Sequence, residues 1–193
     1  MTKELNHKPL SNQGFTLVEL LIVVIILAIL AAIVVPQFAS TTDDAKVSAL
    51  DSTLANMRAA IDLYYQQHGE YPGQNTAVPS GGGCTGTPGT GDASSPTTRA
   101  TAFIEQLSMF TDSNGAACSI SDGTFKFGPY LKKNILPKNP ITQLGDVEII
   151  TTGDLLMTGS LTPATGWKFD VTAGKFIAND TNTDASGIKY DAH

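Results

Sequence analysis

A chain of 193 residues has room for one modest globular domain and a separate element, and excludes a second enzyme-sized domain. The net charge is −6; Lys3, Lys8 and Glu4 give the first fourteen residues +1, so the remainder carries −7, which argues against a broad basic face for nucleic acid. Two cysteines, Cys84 and Cys118, are too few and too sparse for a zinc site of the paired Cys-x-x-Cys type.

Residues 20–35 are all apolar, and the run extends back to Phe15 with only Thr16 and Glu19 breaking it. At about 1.5 Å per residue, 15–35 rises about 31 Å as a helix, close to the hydrocarbon thickness of a bilayer. A secretory signal peptide has a shorter apolar core followed by its cleavage site. Here the basic, polar segment ends at Gly14, before the apolar run, so a cut at that point leaves the run on the mature chain. Lys3 and Lys8 precede the run and Asp43 and Asp44 follow it, which orients the leader to the cytoplasm and the bulk of the chain outside.

The segment Gly14-Phe15-Thr16-Leu17-Val18-Glu19-Leu20, followed by the apolar run and Pro36, resembles the prepilin signal of the type IV pilin-like family, which holds type IV pilins and type II secretion pseudopilins. The resemblance implies cleavage after Gly14 by a membrane-embedded aspartyl peptidase, N-methylation of Phe15, and a role for Glu19 in assembly. It also implies an inner-membrane subunit that is drawn into a filament by an assembly platform together with minor pilins.

Glu19 has a physical reading of its own. A carboxylate in a membrane helix costs up to about 3 kcal/mol at the centre and less near the interface, so it gains from a partner. The amine that cleavage would create on Phe15 of a neighbouring copy is one candidate. The other reading places Glu19 in the headgroup layer, at the positive end of its own helix dipole.

Pro36 lacks an amide hydrogen and is expected to kink or loosen the helix without ending it. Beyond it, Val47, Leu50, Leu54, Met57, Ile61 and Tyr64 recur in steps of three and four, which predicts one apolar face, with Asp44, Asp51, Arg58 and Asp62 elsewhere. One helix over 15–67 follows, apolar first and amphipathic second. His68-Gly69-Glu70-Tyr71-Pro72 stops it, and His68 reads as a residue of the helix end rather than a ligand.

Residues 75–98 read as a loop rich in Gly, Pro, Ser and Thr, and Gly81-Gly82-Gly83 lacks the frame of a phosphate-binding loop. A short helix is predicted over 99–109, with Phe103, Ile104 and Leu107 on one side. Cys84 and Cys118 flank this region; in an oxidising compartment they pair and fasten loop and helix together, and otherwise they are two unlinked buried thiols.

Short strands are predicted at 147–151, 155–157, 167–171 and 175–178, with a turn at Thr172-Ala173-Gly174. Trp167, Phe169 and Val171 alternate with Lys168 and Asp170, as in a half-buried strand. They suggest a small antiparallel sheet laid on the amphipathic half of the long helix, an α+β pilin-like fold. Residues 166–170 with 174–176 are similar to the last hairpin of many pilins. Gly128-Pro129-Tyr130-Leu131-Lys132-Lys133, running to Pro140, is similar to the major pseudopilins, although Ile141-Thr142 stands where those carry Trp-Gly.

No nucleophile with a positioned base is visible, since the histidines lie at His7, His68 and His193, and an enzyme is not expected. Asp180, Asp184 and Asp191 offer oxygen ligands of the kind calcium takes, and the resemblance to pseudopilins implies a calcium loop near the C-terminus. Without fixed ligand spacing, the other reading is a solvated, disordered tail. No other cofactor is expected.

The expected organisation is a leader at 1–14, a membrane and filament-core helix at 15–36, the amphipathic half of that helix at 37–68, and an extracytoplasmic globular domain at 69–193. The expected function is a structural subunit of a type IV pilus or secretion pseudopilus, a homopolymer built through N-terminal helices. The alternative is a minor pilin that primes or decorates a filament and binds a surface or another subunit.

Overall fold

The computed structural model describes residues 15–80 and 83–193, leaving aside the side chains of 35–41. Contacts divide the chain into two units, one ending at Thr42 and the other covering Asp43–His193. The backbone of helix α1, Leu17–His68, passes from one to the other. Pro36, the expected kink, falls among the side chains left aside.

In the second unit α1 buries the face its spacing predicts: Leu50, Leu54, Met57, Ile61 and Tyr64 are each at most 2 % exposed. Burying a side chain of this size stabilises the fold by about 1.5 to 3 kcal/mol, so this stripe is the seat of the core. The helix ends where Gly69 takes a φ of 75° and donates its N–H to the Tyr65 carbonyl at 2.8 Å. Arg58 is half-buried, and its guanidinium donates to the carbonyls of Phe176 and His193.

Helix α2 spans Pro96–Ser108, beginning three residues before the expected 99. Ser95 and Thr98 form a reciprocal capping box with Pro96 at the first position, so the helix starts inside what composition reads as loop. Phe103 and Leu107 are buried in the core and Ile104 packs at its margin. The preceding loop lies against this helix so closely that a Cβ on Gly91 would stand 2.1 Å from the Ala102 nitrogen. Glu105 holds the loop by accepting from the Thr90 and Gly91 amides and the Thr90 hydroxyl.

Strands β1 (Phe110–Thr111) and β2 (Ala117–Cys118) form a short antiparallel hairpin. Strands β3 (Val147–Ile150), β4 (Trp167–Asp170) and β5 (Lys175–Ala178) form a sheet in that order. The β4–β5 pair is antiparallel, with Phe169 opposite Phe176, but β3 runs parallel to β4, with Val147 opposite Trp167. The sheet is therefore mixed rather than wholly antiparallel. Connection 151–166 is long enough to bring the chain back to the same end, which a parallel pair requires.

Two other expectations are corrected. Residues 155–157 form no strand: Asp154 accepts the Leu156 amide and starts a turn that leaves Leu155 72 % and Leu156 84 % exposed and buries Met157. Asp170, expected on the outer side of its strand, is fully buried. Its carboxylate accepts from the amides of Asp154, Thr172 and Ala173 and from the Thr152 hydroxyl, so one side chain closes the β4–β5 turn and pins the crossover.

The C-terminal tail is folded, contrary to the disordered reading. Thr183 bridges Lys189, a turn of 3₁₀ helix covers Tyr190–Ala192, and the His193 ring lies 2.9 Å from the Asp51 carboxylate.

Candidate functional site

Among its described residues the first unit offers an apolar helix with nothing of its own to pack on. Leu17–Val34 is long and apolar enough to cross a membrane, and none of it is buried. Phe15 is 83 % and Leu17 89 % exposed. In water an apolar surface of this size is not tolerated; it requires lipid or the matching faces of other helices.

The start of the helix is built by two residues. The Thr16 hydroxyl accepts the Glu19 amide at 3.2 Å, while Glu19 Oε2 accepts the Thr16 amide at 2.9 Å and the Thr16 hydroxyl at 2.7 Å. This is a capping box at the N-terminus of α1, satisfying two backbone donors that the start of a helix otherwise leaves unpaired. Sequence reasoning singled out Glu19 but passed over Thr16, although a Thr-x-x-Glu pattern just before an apolar run is a signal for it. Both bonds from Thr16 to the carboxylate end on one oxygen, at the end of the helix where an anion is favoured. Phe15 directly precedes the box; Gly14 lies outside the described residues.

Cys84 and Cys118 are joined by a disulfide, with Cα atoms 5.6 Å apart. Cys118 also bridges Pro88, so the bond ties the loop to the β1–β2 hairpin that follows α2. His68 has a structural place: its ring stacks on Tyr64 at 4.0 Å, with Nδ1 3.1 Å from the Tyr64 carbonyl and Nε2 2.9 Å from the Thr111 hydroxyl. Burial pushes its pKa below the ordinary value, against the Tyr64 and Asp112 contacts that raise it.

Asp180, Asp184 and Asp191 do not converge as a ligand set. Asp180 accepts from the Asn182 amide, Asp184 from the amides of Ser186 and Ile188, and Asp191 from the Gly159 amide. Asp180 and Asp184 each fix a local turn and Asp191 ties the tail to Gly159, which is work the sequence could not distinguish from metal binding. Among the described residues no three His, Cys, Asp or Glu side chains come together as a metal site.

Residues 10–35 match the family model of the prokaryotic N-terminal methylation motif. The chain is 48 % identical over 61 residues to a type II secretion system core protein G of Pseudomonas aeruginosa, covering 32 % of this chain and 43 % of that one. It is 43 % identical over 67 residues to a fimbrial protein of Neisseria meningitidis, covering 35 % and 39 %. The chain thus spans only about two fifths of these two relatives. A type IV narrow pilus major component of Thermus thermophilus is 38 % identical over 105 residues, which is 53 % of this chain and 88 % of that protein. No solved structure matches the chain. A relative matched over nearly its whole length, a methylation motif on the apolar run and a long helix under a small sheet agree: the chain belongs to the type IV pilin-like family.

Proposed function

We propose that the chain is the structural subunit of a type IV filament, cleaved after Gly14, N-methylated on Phe15 and polymerised through α1. The observation that carries this reading is the uncovered apolar surface of Leu17–Val34, closed at its start by the Thr16–Glu19 box. A staggered bundle of identical helices removes that surface from lipid and water alike. In such a bundle the Glu19 carboxylate accepts the charged Phe15 amine of a neighbouring copy, which rewards one register. The name of the Thermus relative, a pilus major component, supports the major-subunit role. The chain waits as a single-pass inner-membrane protein with its leader in the cytoplasm and its globular unit outside. Prepilin peptidase and an inner-membrane assembly platform are its proposed partners.

The test is to shear filaments from cells producing the chain and take the intact mass of the subunit. Mature protein beginning at Phe15, with one added methyl group, is the expected result. A filament fraction free of the chain, or a mature form that keeps Lys8 or lacks the apolar run, contradicts the proposal.

A further inference from the structure

The globular unit segregates its charge. Between residues 122 and 146 the chain carries Lys126, Lys132, Lys133 and Lys138 and no acidic residue. Lys132, Lys133 and Lys138 are exposed and pair with no carboxylate among the described residues. They flank an open groove of about 480 Å³ beside Ile135, which is 67 % exposed. The segment is held in place, since the Tyr130 hydroxyl donates to Gln67 Oε1 at 2.6 Å, the Leu131 amide to the Leu107 carbonyl, and Trp167 Nε1 to the Pro137 carbonyl. Its lysines are thus presented from a fixed frame.

A cleft of opposite sign lies where α1 enters the same unit. It measures about 430 Å³ and is lined by Asp43, Asp44 and Val47 of the helix and by Asp184 and Tyr190 of the tail. Lys46 neutralises only one of the three carboxylates, pairing with Asp43 at 3.1 Å. Behind Asp184 stands His193, its side chain only 10 % exposed. Its Nδ1 lies 2.9 Å from Asp51, whereas Nε2 has no hydrogen-bond partner and lies 3.7 Å from Asp184 Oδ2. The cleft carries more carboxylate than lysine, and an ammonium group from outside supplies counter-charge.

The two patches cannot meet within one subunit. Gln67, to which Tyr130 is bonded, lies about 36 Å along α1 from Asp43, farther than Lys132 or Lys133 reaches from Tyr130. We propose that the Lys132–Lys133 segment of one copy docks in the Asp43, Asp44 and Asp184 cleft of the next, the lysine stems lying on Val47 and Tyr190. Different patches on the two partners make the contact heterologous, so it propagates along a filament instead of closing a dimer. The proposal rests on the filament-subunit reading and names a contact for it outside α1's membrane half. Opposite charge here sets register and suppresses wrong juxtapositions more than it adds raw affinity.

The test uses the full-length chain in cells that make filaments, with a photoreactive residue at Lys133. Cross-links mapped in sheared filaments are expected to join it to residues 43–48 or 183–190 of a second copy. In parallel, K132E with K133E is expected to lower filament yield about tenfold at a matched membrane pool, with the Cys84–Cys118 bond formed as the sign of folding. Adding D43K with D44K to that variant is expected to bring the yield back to within about threefold of wild type. Wild-type filaments whose cross-links fall elsewhere on the protein or only on lipid, or charge-reversed variants that do not rescue each other, overturn this contact and leave the filament reading standing. Absence of the wild-type chain from filaments overturns both.

Discussion

At the scale of single residues, polar side chains buried in the fold are occupied in holding the chain together. Gln106 is fully buried, accepts the Gly73 amide and donates to the Gly115 carbonyl, joining two turns to α2 through one side-chain amide. His68 is the case with a pH signature. Its pKa is lowered in the folded chain by burial, so the unfolded chain binds the proton more readily. Stability is then full above the ordinary histidine value of 6.5 and is lost as pH falls through it toward the folded value. Denaturant unfolding of the detergent-solubilised chain from pH 7.5 down to 5 is expected to show falling midpoints, and H68Q is expected to flatten that part of the profile. An unchanged slope in H68Q contradicts this account. Asp170 acts lower on the scale: burial raises its carboxyl, but the amides of Ala173, Asp154 and Thr172 with the Thr152 hydroxyl outweigh burial and hold its pKa down. Its contribution is present above the ordinary carboxylate range and is lost as pH falls through the folded value.

At the scale of elements, helices were legible and strand direction was not. The step of three and four from Leu50 to Tyr64 names the buried face of α1, and Gly69 names its end, because period and cap are local properties of the sequence. Alternation in 147–150 and 167–170 identifies strands, but an alternating pattern is the same for parallel and antiparallel neighbours, so only the connection 151–166 decides. Leu155 and Leu156 misled because an apolar pair carries no period, and the Asp154 turn outweighed its strand propensity. The start of α2 was missed because Ser95 and Thr98 read as loop composition until they are seen as a box. Two variants test the region between α1 and the sheet. Replacing both Cys84 and Cys118 by Ser is expected to lower stability by roughly 3 to 4 kcal/mol on the chain-entropy estimate, measured by denaturant midpoint under non-reducing conditions. G91A forces a methyl group into the α2 backbone at Ala102 and is expected to cost about 1 to 3 kcal/mol, more if the loop cannot shift. Wild-type stability in either would mean that the loop does not bear on the core.

At the scale of the whole molecule, the site was legible as a motif and incomplete as a mechanism. Gly14, Phe15 and Glu19 stand out in the sequence, while the partner that fixes Glu19 in the single chain, Thr16, emerges from the hydrogen bonds of the helix start. That geometry sharpens the question of what Glu19 does. As half of a capping box its role is local, and a glutamine in its place would perform it. As the counter-charge for a neighbouring amine its role is polymeric, and glutamine would fail, because an amine buried without its partner costs about 3 to 5 kcal/mol at every subunit. The decisive measurement is the amount of chain in sheared filaments relative to the membrane pool, for wild type, E19Q and E19A at matched expression. Both variants are expected in the membrane at wild-type levels and nearly absent from filaments. Normal filaments from E19Q would contradict the claim that α1 polymerises through a charge pair and would reduce Glu19 to a helix cap.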